Sequence, residues 1–515
     1  AANRDADAAI IERLRVSGRL ESSVAHEHSY PHCWRCSTPL IYWAKPTWFA
    51  RTSAYRDDML RENAAIAWHP EHIREGRFGD WLENNVDWAL SRDRFWGTPI
   101  PVWRCTDCGK DTCIGSLAEL TESAGVDLLA LDPHRPAVDG VEIACDSCGG
   151  TARRVESVLD AWFDSGSMPF AQLHYPFENK DSFETRFPAD FICEGIDQTR
   201  GWFYTLMTIG TLVFDKSSYE HVLCLGHILD KDGRKMSKHL GNVLEPISLM
   251  DQHGADAVRW YMLAAGSPWA SRRVGHDAIS DVIRKTLLTY WNTISFHALY
   301  ANASNFTLDQ SPAVAERSTM DKWILSELNT LVVEVDKAYS EFDSQSAGKV
   351  LATFIDDLSN WYVRRSRRRF WDGDVAALGT LHECLVTLTQ LLAPLVPFIT
   401  EQVWQELVIP ADSTQPASVH LSNWPAVNAG AIDTELAAQV ALTRRIVELG
   451  RATRAESGIK IRQPLGRALI AASGWATLPE AMREQIADEL NVQTLQDIAT
   501  ADGDLVDISV KANFK

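Results

Sequence analysis

The second half of the chain carries apolar residues at steps of three or four, which is the spacing of one buried helix face. Between residues 321 and 342 this spacing is kept by Ile324, Leu328, Leu331, Val335, Ala338 and Phe342. The spacing returns at Leu381, Leu385, Leu388 and Leu392. Pro394 and Pro397 follow, and a proline ends or kinks a helix. We therefore expect an all-α module from about residue 281 to 433.

The first half has a different pattern, in which short apolar runs alternate with turns. Phe191–Cys193 and Val222–Leu225 each have the length of a buried strand, which predicts an α/β fold with insertions up to about residue 280. The segment 410–433 is rich in Pro, Ser, Thr and Asn, as is typical of a connection. A further helix begins near residue 434, and short alternating runs such as 505–510 follow it.

The composition is typical of a soluble globular protein. The 515 residues are 45% apolar and 23% charged, and this length allows roughly three to five domains. The sequence has no run of 18 apolar residues, the length that would predict a membrane span, and its first residues lack the pattern of a signal peptide. We therefore expect a cytoplasmic protein, and we also expect a monomer. The net charge of −19 argues against a general nucleic-acid coating protein, although a local basic patch is compatible with it.

Six of the ten cysteines form Cys-x-x-Cys pairs, which are typical of zinc knuckles. The pairs are Cys33/Cys36, Cys105/Cys108 and Cys145/Cys148. A glycine follows the second and third pairs and allows a tight turn around the thiolates, so we predict that these two share one structural zinc. Buried free cysteines, or a ligand set that includes Cys113, are the alternatives. The first pair has no evident partner and is either half of another site or a metal-free turn.

A basic, turn-rich segment follows the apolar run Val222–Leu225. It contains Lys231, Arg234, Lys235 and Lys238, with Gly233 and Gly241 as hinges. Lysines beside the end of a parallel strand suit a triphosphate, because they neutralise the charge that develops on its phosphates. On charge alone, a solvated basic loop is the favoured alternative.

Acidic and amide side chains follow the other apolar run, Phe191–Cys193. They are Glu194, Asp197 and Gln198, with Gly195 between the first two. Ligands of open parallel sheets bind at the carboxyl ends of strands, where such groups can hold an ammonium or ribose hydroxyls. Asp197 would also serve as a helix N-cap, which is compatible with a binding role.

The densest basic cluster lies between residues 364 and 369. It consists of Arg364, Arg365, Arg367, Arg368 and Arg369, and aromatic residues flank it on both sides. Arginines that bind phosphates, together with aromatics that pack or stack, suit a helix that faces RNA. A solvated helix face is the usual alternative. Residues 444–462 form a second basic candidate.

Taken together, these motifs resemble the class I aminoacyl-tRNA synthetases. Residues 235–238, Lys-Met-Ser-Lys, are similar to the Lys-Met-Ser-Lys-Ser loop of that family, with His239 at the fifth position. They follow DWALSRDRFWGTPIP, VLDAWFDSGSMPFAQ and EGIDQTRGWFYTL, in the order seen in the isoleucyl, valyl and leucyl subgroup. The residues within these motifs are more similar to those of the isoleucyl branch than to those of the valyl branch. SNWYVRRSRRRFW is similar to the helical anticodon-binding domain, so the resemblance covers nearly the whole chain.

The resemblance implies ATP-dependent ligation of isoleucine to tRNA(Ile) through isoleucyl-adenylate, with Mg²⁺ as the partner of ATP. It implies that the adenylate is bound by Glu194, Gly195, Asp197 and Gln198, and that the amino-acid pocket is walled by Trp162 and Trp202. It further implies that Lys235, Ser237 and Lys238 bind ATP, with the two lysines acting on its phosphates. The valyl enzyme and a non-catalytic, zinc-bearing tRNA-binding module are the rival interpretations.

The resemblance also divides the chain. Residues 1–40 would be the exit from an editing insertion, 41–280 a partial Rossmann catalytic core with a zinc insert at about 104–150, 281–433 the anticodon-binding domain, and 434–515 the start of a C-terminal junction domain. The His-x-Gly-His motif of the family and the catalytic segment of its editing domain do not occur in the sequence. We therefore expect that both ends are truncated and that this chain alone does not form the adenylate.

Overall fold

The computed structural model describes residues 2–24, 26, 28–33, 36–41, 44–236 and 241–500. The strands are β1 Phe49–Ala50, β2 Ala67–His69, β3 Trp88–Ala89, β4 Ser91–Arg92, β5 Val102–Cys105, β6 Asp111–Cys113, β7 Glu142–Ala144, β8 Thr151–Arg154, β9 Val158–Leu159, β10 Ala189–Gly195, β11 Tyr219–Leu225, β12 Ile228–Leu229, β13 Arg272–Arg273, β14 Leu465–Ile470 and β15 Val492–Asp497. The chain divides into two compact units, one formed by residues up to 53 with 86–164, the other by 54–85 with the residues from 165 onward.

The α-helices are distributed along the whole described chain. They are α1 Ala2–Val16, α2 Arg56–Ala65, α3 His72–Glu75, α4 Gly79–Glu83, α5 Leu117–Ala124, α6 Ala161–Gly166, α7 Met168–Ala171, α8 Lys180–Arg186, α9 Trp202–Phe214, α10 Pro246–His253, α11 Ala255–Leu263, α12 His276–Val282, α13 Leu288–Ala303, α14 Thr319–Ser340, α15 Ser344–Asp356, α16 Arg367–Trp371, α17 Val375–Leu392, α18 Pro397–Val403, α19 Ile409–Ala411, α20 Thr434–Glu456 and α21 Glu480–Leu490. Wider π-helical turns occupy Ile283–Leu287, Asp357–Val363 and Trp404–Val408.

The first unit is organised around a small antiparallel sheet with the strand order β6-β5-β8-β7. Trp103 is buried beneath it and donates its indole N–H to the carbonyl oxygen of Val141 at 2.8 Å. Leu120 of α5 and Ile143 of β7 belong to the same apolar core. This core fixes the strand ends on which the second and third Cys-x-x-Cys pairs lie.

The second unit contains a parallel sheet with the strand order β10-β11-β2. Alternate residues of these strands, Trp68, Ile192 and Val222, are buried in one core with residues of α2 and α9. Gly195 and Leu225 are register partners, so β10 and β11 end at the same edge of the sheet. Both apolar runs that the sequence analysis assigned to strands are therefore confirmed as strands.

The helical module is also present, and its two predicted stripes are buried. Residues 324, 328, 331 and 335 of α14 and residues 381, 385, 388 and 392 of α17 are all at most 4% exposed. The prediction for Phe342 was wrong, because α14 ends at Ser340 and Phe342 lies in the turn with a φ of 55°. There its ring stacks on Phe191 of β10, with ring centroids 4.6 Å apart. The Asp343 side chain caps α15 and so restarts the helix in a new direction.

Helix α17 has the length and apolar composition of a membrane span, and 67% of that window is buried inside the protein. Its neighbours belong to one continuous apolar core that extends from Leu249 of α10 to Val492 of β15. The core therefore crosses both predicted module boundaries, 281 and 433.

Candidate functional site

The carboxyl end of β10 presents the predicted acidic cluster. Glu194 and Asp197 are exposed, while Gln198 is half-buried in the short 3₁₀ turn that joins β10 to α9. The Oδ1 atom of Asp197 lies 2.7 Å from the point where a Cβ atom on Gly195 would stand. A side chain at position 195 would therefore push the Asp197 carboxylate away from the strand end.

Trp202 is held at the same edge by two hydrogen bonds. Its main-chain N–H donates to Oε1 of Gln198 at 2.8 Å, and its indole N–H donates to the carbonyl oxygen of Ser165 at 3.1 Å. The ring also lines a cavity of about 140 Å³ together with Ile192 and Leu206. These contacts orient an aromatic wall beside the acidic cluster.

Trp162, the other predicted pocket residue, lies in α6 and is 42% exposed. Its main-chain N–H donates to Oδ1 of Asp160 at 3.3 Å. The Oδ2 atom of the same carboxylate accepts hydrogen bonds from the Arg92 guanidinium at 2.7 Å and from the Trp88 indole at 3.1 Å. Asp160 therefore ties the start of α6 to the segment that carries Trp88 and Arg92.

The lysine segment begins where β12 ends. Lys235 is exposed, and its main chain pairs with Leu229 of β12 in an isolated antiparallel bridge. Met236 packs against the large helical core. Ser237 and Lys238, which were also predicted to bind ATP, lie outside the described residues. Asp230 and Asn242, which the motifs did not single out, contact each other at the base of this segment.

Four thiols converge in the first unit. The Sγ atoms of Cys105 and Cys148 are 3.5 Å apart, those of Cys108 and Cys145 are 3.7 Å apart, and all four lie within 4.8 Å of one another. Among the described residues, this is the only group of three or more Cys, His, Asp or Glu side chains that converges in this way. Cys113 is outside it, and so are Cys33 and Cys36.

The two halves of this thiol cluster have the same local structure. Gly109 and Gly149 have φ angles of 73° and 71°, and their N–H groups donate to the carbonyl oxygens of Cys105 and Cys145. Hydrogen bonds from the main-chain N–H groups of Cys108 and Asp107 lower the pKa of Cys105 to about 7. These donors favour the thiolate, which is the form that binds a metal ion.

The arginine run does not form one uniform helix face. Arg367 and Arg368 are exposed, whereas Arg369 is 26% exposed and bound to Asp321 and Asp374. The run is interrupted at Ser366, which is buried and directly precedes the short helix α16. Residues 361, 362 and 370 of the flanking aromatic group are buried, and residue 371 is exposed.

A single buried carboxylate, Glu489 of α21, binds three arginines. It accepts hydrogen bonds from Arg364 at 3.0 Å and from Arg365 at 2.9 Å, and it also accepts one from Arg451. Burial acts to raise the pKa of Glu489, but hydrogen bonds from Arg364 and the neighbouring charges hold it below its ordinary value. Two arginines of the run, Arg364 and Arg365, are therefore engaged by a buried carboxylate within the fold.

These features define the class of protein. Residues 3–272 match the tRNA synthetases class I (I, L, M and V), and residues 321–469 match the anticodon-binding domain of tRNA ligase. The chain therefore belongs to the class I tRNA synthetases, as its motifs predicted. Among its curated relatives, the isoleucine–tRNA ligase of Streptomyces avermitilis is 61% identical over 99% of this chain, and those of Streptomyces coelicolor and Thermobifida fusca are 59% and 56% identical. The chain spans about half the length of these relatives, 49% of each.

Solved structures share the fold at low sequence identity. The methionyl-tRNA synthetase of Mycobacterium tuberculosis, in complex with methionyl-adenylate, has a TM-score of 0.55 and 17% identity, and the match covers 77% of this chain and 72% of that one. A LeuRS–tRNA–LeuAMS ternary complex from Agrobacterium radiobacter K84 has a TM-score of 0.51 and 21% identity over 70% of this chain and 46% of that one.

Proposed function

We propose that this chain serves in an isoleucine–tRNA ligase, which joins isoleucine to tRNA(Ile) at the expense of ATP through isoleucyl-adenylate. The observation that carries the proposal is the 61% identity to the Streptomyces avermitilis isoleucine–tRNA ligase, sustained over 99% of the chain. The same identity favours this proposal over the two rival interpretations, the valyl enzyme and a non-catalytic tRNA-binding module. We further propose that the ligase is a cytoplasmic monomer and that it uses ATP together with Mg²⁺.

The edge of the sheet at Gly195 and Leu225 suits the adenylate. Glu194 and Asp197 are exposed carboxylates that can accept hydrogen bonds from an ammonium group or from ribose hydroxyls. Gln198 contributes through Trp202, because its side chain fixes the main chain at the start of α9. We propose Trp202 and Trp162 as apolar walls for the isoleucine side chain, where each ring would exclude water.

We propose Lys235 and Lys238, with Ser237, as the groups that act on ATP. Ammonium groups beside the β- and γ-phosphates would offset the negative charge that increases as pyrophosphate leaves. The support for this is the position of Lys235, which is exposed in the loop after β12, the strand that follows β11. In our proposal the surrounding core has the Rossmann arrangement. We keep 40, 280 and 433 as boundaries between family modules, although the modules from α10 onward share one apolar core.

We propose that the four thiols of Cys105, Cys108, Cys145 and Cys148 bind one zinc ion, which would cross-link the two knuckles. A tetrahedral zinc with Zn–S bonds of about 2.3 Å separates its sulfur ligands by about 3.8 Å. The cross-knuckle distances of 3.5 and 3.7 Å are close to this value. The Cys33/Cys36 pair would be half of a second site.

We propose the exposed part of the arginine run as a tRNA-binding surface. Arg367 and Arg368 are free of the Glu489 cluster, and phosphate contacts need cations that solvent can reach. Arg364 and Arg365 would contribute their remaining donors from the edge of this surface. Arg369 would act indirectly, because it holds α16 against α14.

The preference of this chain between tRNA(Ile) and tRNA(Val) tests whether the ligase uses isoleucine or valine. We expect this chain to bind tRNA(Ile) more tightly than tRNA(Val) in a filter-binding assay at fixed salt concentration. A preference for tRNA(Val) would support the valyl alternative instead. We also expect no isoleucine-dependent pyrophosphate exchange from this chain alone, and robust exchange would refute the expectation of an incomplete site.

A further inference from the structure

The carboxylate of Asp230 joins the two ends of the segment that carries Lys235. One oxygen, Oδ1, accepts the main-chain N–H of Arg234 at 2.8 Å and that of Asp232 at 3.0 Å. The other, Oδ2, accepts the side-chain N–H of Asn242 at 2.8 Å and Nε of Arg234 at 3.3 Å. Arg234 precedes Lys235 directly and Asn242 follows it by seven positions, so one side chain holds both ends.

This carboxylate is itself fixed by the main chain around it. Asp230 is 5% exposed, and it follows β12 directly, which pairs with β13. Its N–H donates to the carbonyl oxygen of Arg234 at 2.9 Å, and its own carbonyl oxygen accepts the N–H of Gly233 at 3.0 Å. Gly233 has a φ of 83°, a value that few side chains tolerate, which allows the turn to be this tight. Asp230 therefore offers a rigid acceptor.

The far end of the segment is connected back to Lys235. The side-chain N–H of Asn242 also donates to the carbonyl oxygen of Lys235 at 3.3 Å. Donation from Asn242, followed by that from the Arg234 main chain, lowers the pKa of Asp230 to about 2. The carboxylate is therefore ionised, and accepts these bonds, throughout the neutral range.

We propose that Asp230 is the positioning residue for Lys235, and that the affinity of this segment for a polyphosphate depends on it. This inference rests on the proposed function, in which Lys235 acts on the phosphates of ATP. Asp230 does not contact the ligand. It fixes the main chain on both sides of Lys235, so that less conformational freedom is lost when the ammonium group meets a phosphate.

The neighbouring Asp232 provides a matched control. It carries the same charge two residues away and is exposed, and its carboxylate accepts a hydrogen bond from the side chain of Arg234 at 2.9 Å. Replacement of either aspartate by asparagine removes one negative charge near the lysines. Electrostatics alone would therefore make both variants bind a polyanion as well as, or better than, the original chain.

The test measures binding of inorganic pyrophosphate to the full chain by isothermal titration calorimetry. We expect Asp230→Asn to weaken binding by about tenfold, the size expected when charge-assisted hydrogen bonds are lost. Asp232→Asn should bind at least as tightly as the original chain. Asn242→Ala leaves the charge unchanged and should weaken binding in the same direction as Asp230→Asn, which covers the case in which the Asp230 variant does not fold.

Amide hydrogen exchange supplies the structural readout. The N–H of Arg234 should exchange about tenfold faster in Asp230→Asn and at the original rate in Asp232→Asn. Lys235→Met identifies the binding site itself. If Lys235→Met loses pyrophosphate binding while Asp230→Asn and Asn242→Ala retain it, the positioning role is refuted and the phosphate role of Lys235 stands. If Lys235→Met binds as tightly as the original chain, the phosphate role fails, and the positioning role fails with it.

Discussion

Arg369 forms a bidentate ion pair with Asp321, whose carboxylate is completely buried at the start of α14. The two guanidinium nitrogens donate to the two carboxylate oxygens at 2.8 and 2.7 Å. Tyr362 donates to the same carboxylate at 2.6 Å, and Ser318 completes a capping box with it. Arg369 is therefore a structural residue of the helical core. Through Asp321 it connects α16 to α14 and to the π-helical turn that contains Tyr362.

Loss of Arg369 should destabilise the helical module strongly. We expect Arg369→Ala to lower its free energy of unfolding by about 3 kcal/mol, because removal of one partner leaves a buried carboxylate without its counter-charge. Arg368→Ala, at a side chain that is 91% exposed, should change it by less than about 0.5 kcal/mol. Denaturant unfolding followed by circular dichroism measures both, and equal effects would contradict the structural assignment of Arg369.

The exposed arginines should affect RNA binding without affecting stability. We expect the double variant Arg367→Met/Arg368→Met to weaken tRNA binding at low salt, and to reduce the slope of log affinity against log salt by about one to two units. Filter binding over a series of salt concentrations measures this slope. An unchanged slope would exclude these two side chains from contact with phosphates.

The thiol cluster should determine the metal content of the chain. We expect at least one equivalent of zinc in the purified protein, and one equivalent less in Cys148→Ser, because a structural zinc site needs four ligands. Cys113→Ser is the control, since Cys113 lies outside the cluster. Elemental analysis of the three proteins decides the matter. An equal loss of zinc from both variants, or no zinc in any, would contradict the assignment.

Two buried histidines should make the helical module sensitive to acid. His297 of α13 and His382 of α17 lie with ring centroids 5.4 Å apart. Burial, together with the charge of His382, lowers the pKa of His297 to about 3. Burial lowers the pKa of His382 to about 4, whereas a free histidine has a pKa of about 6.5. The unfolded chain therefore binds more protons than the folded chain between about pH 6.5 and 4.

The sign of this effect follows from that difference in bound protons. Stability is complete above about pH 6.5 and falls as the pH is lowered, by up to about 1.4 kcal/mol per pH unit for each histidine. We expect His382→Gln to flatten this slope in urea unfolding measured between pH 7 and pH 5. His72→Gln, at an exposed position, should leave the slope unchanged. A slope that is equally steep in all three proteins would rule out this origin.

The sequence was most informative where a function depends on a contiguous motif. The strand that ends at Gly195, the lysines after β12 and the paired cysteines are each set by local spacing, and the family follows from their order along the chain. The buried stripe of α14 is likewise a local pattern, so its period alone placed Leu328 and Leu331 correctly.

Features that depend on distant residues were not predictable in this way. Arg369 and Arg368 are identical in the sequence, and only the approach of Asp321, 48 positions away, makes one of them structural. The same holds for Glu489, which is 125 positions from Arg364. Asp230 was closer, and its position three residues before Gly233 is a local signal of a tight turn.

The continuous core from Leu249 to Val492 limits how far this protein can be divided into interchangeable parts. Gly348 of α15 packs so closely on Ala264 that an added Cβ atom would lie 2.3 Å from the Cβ of that alanine. A chimera joined at residue 281 would take Ala264 and Gly348 from different parents, although their contact leaves no room for an added methyl group. Exchange of the helical module between relatives would therefore need a junction before α10, so that both sides of this contact come from the same parent.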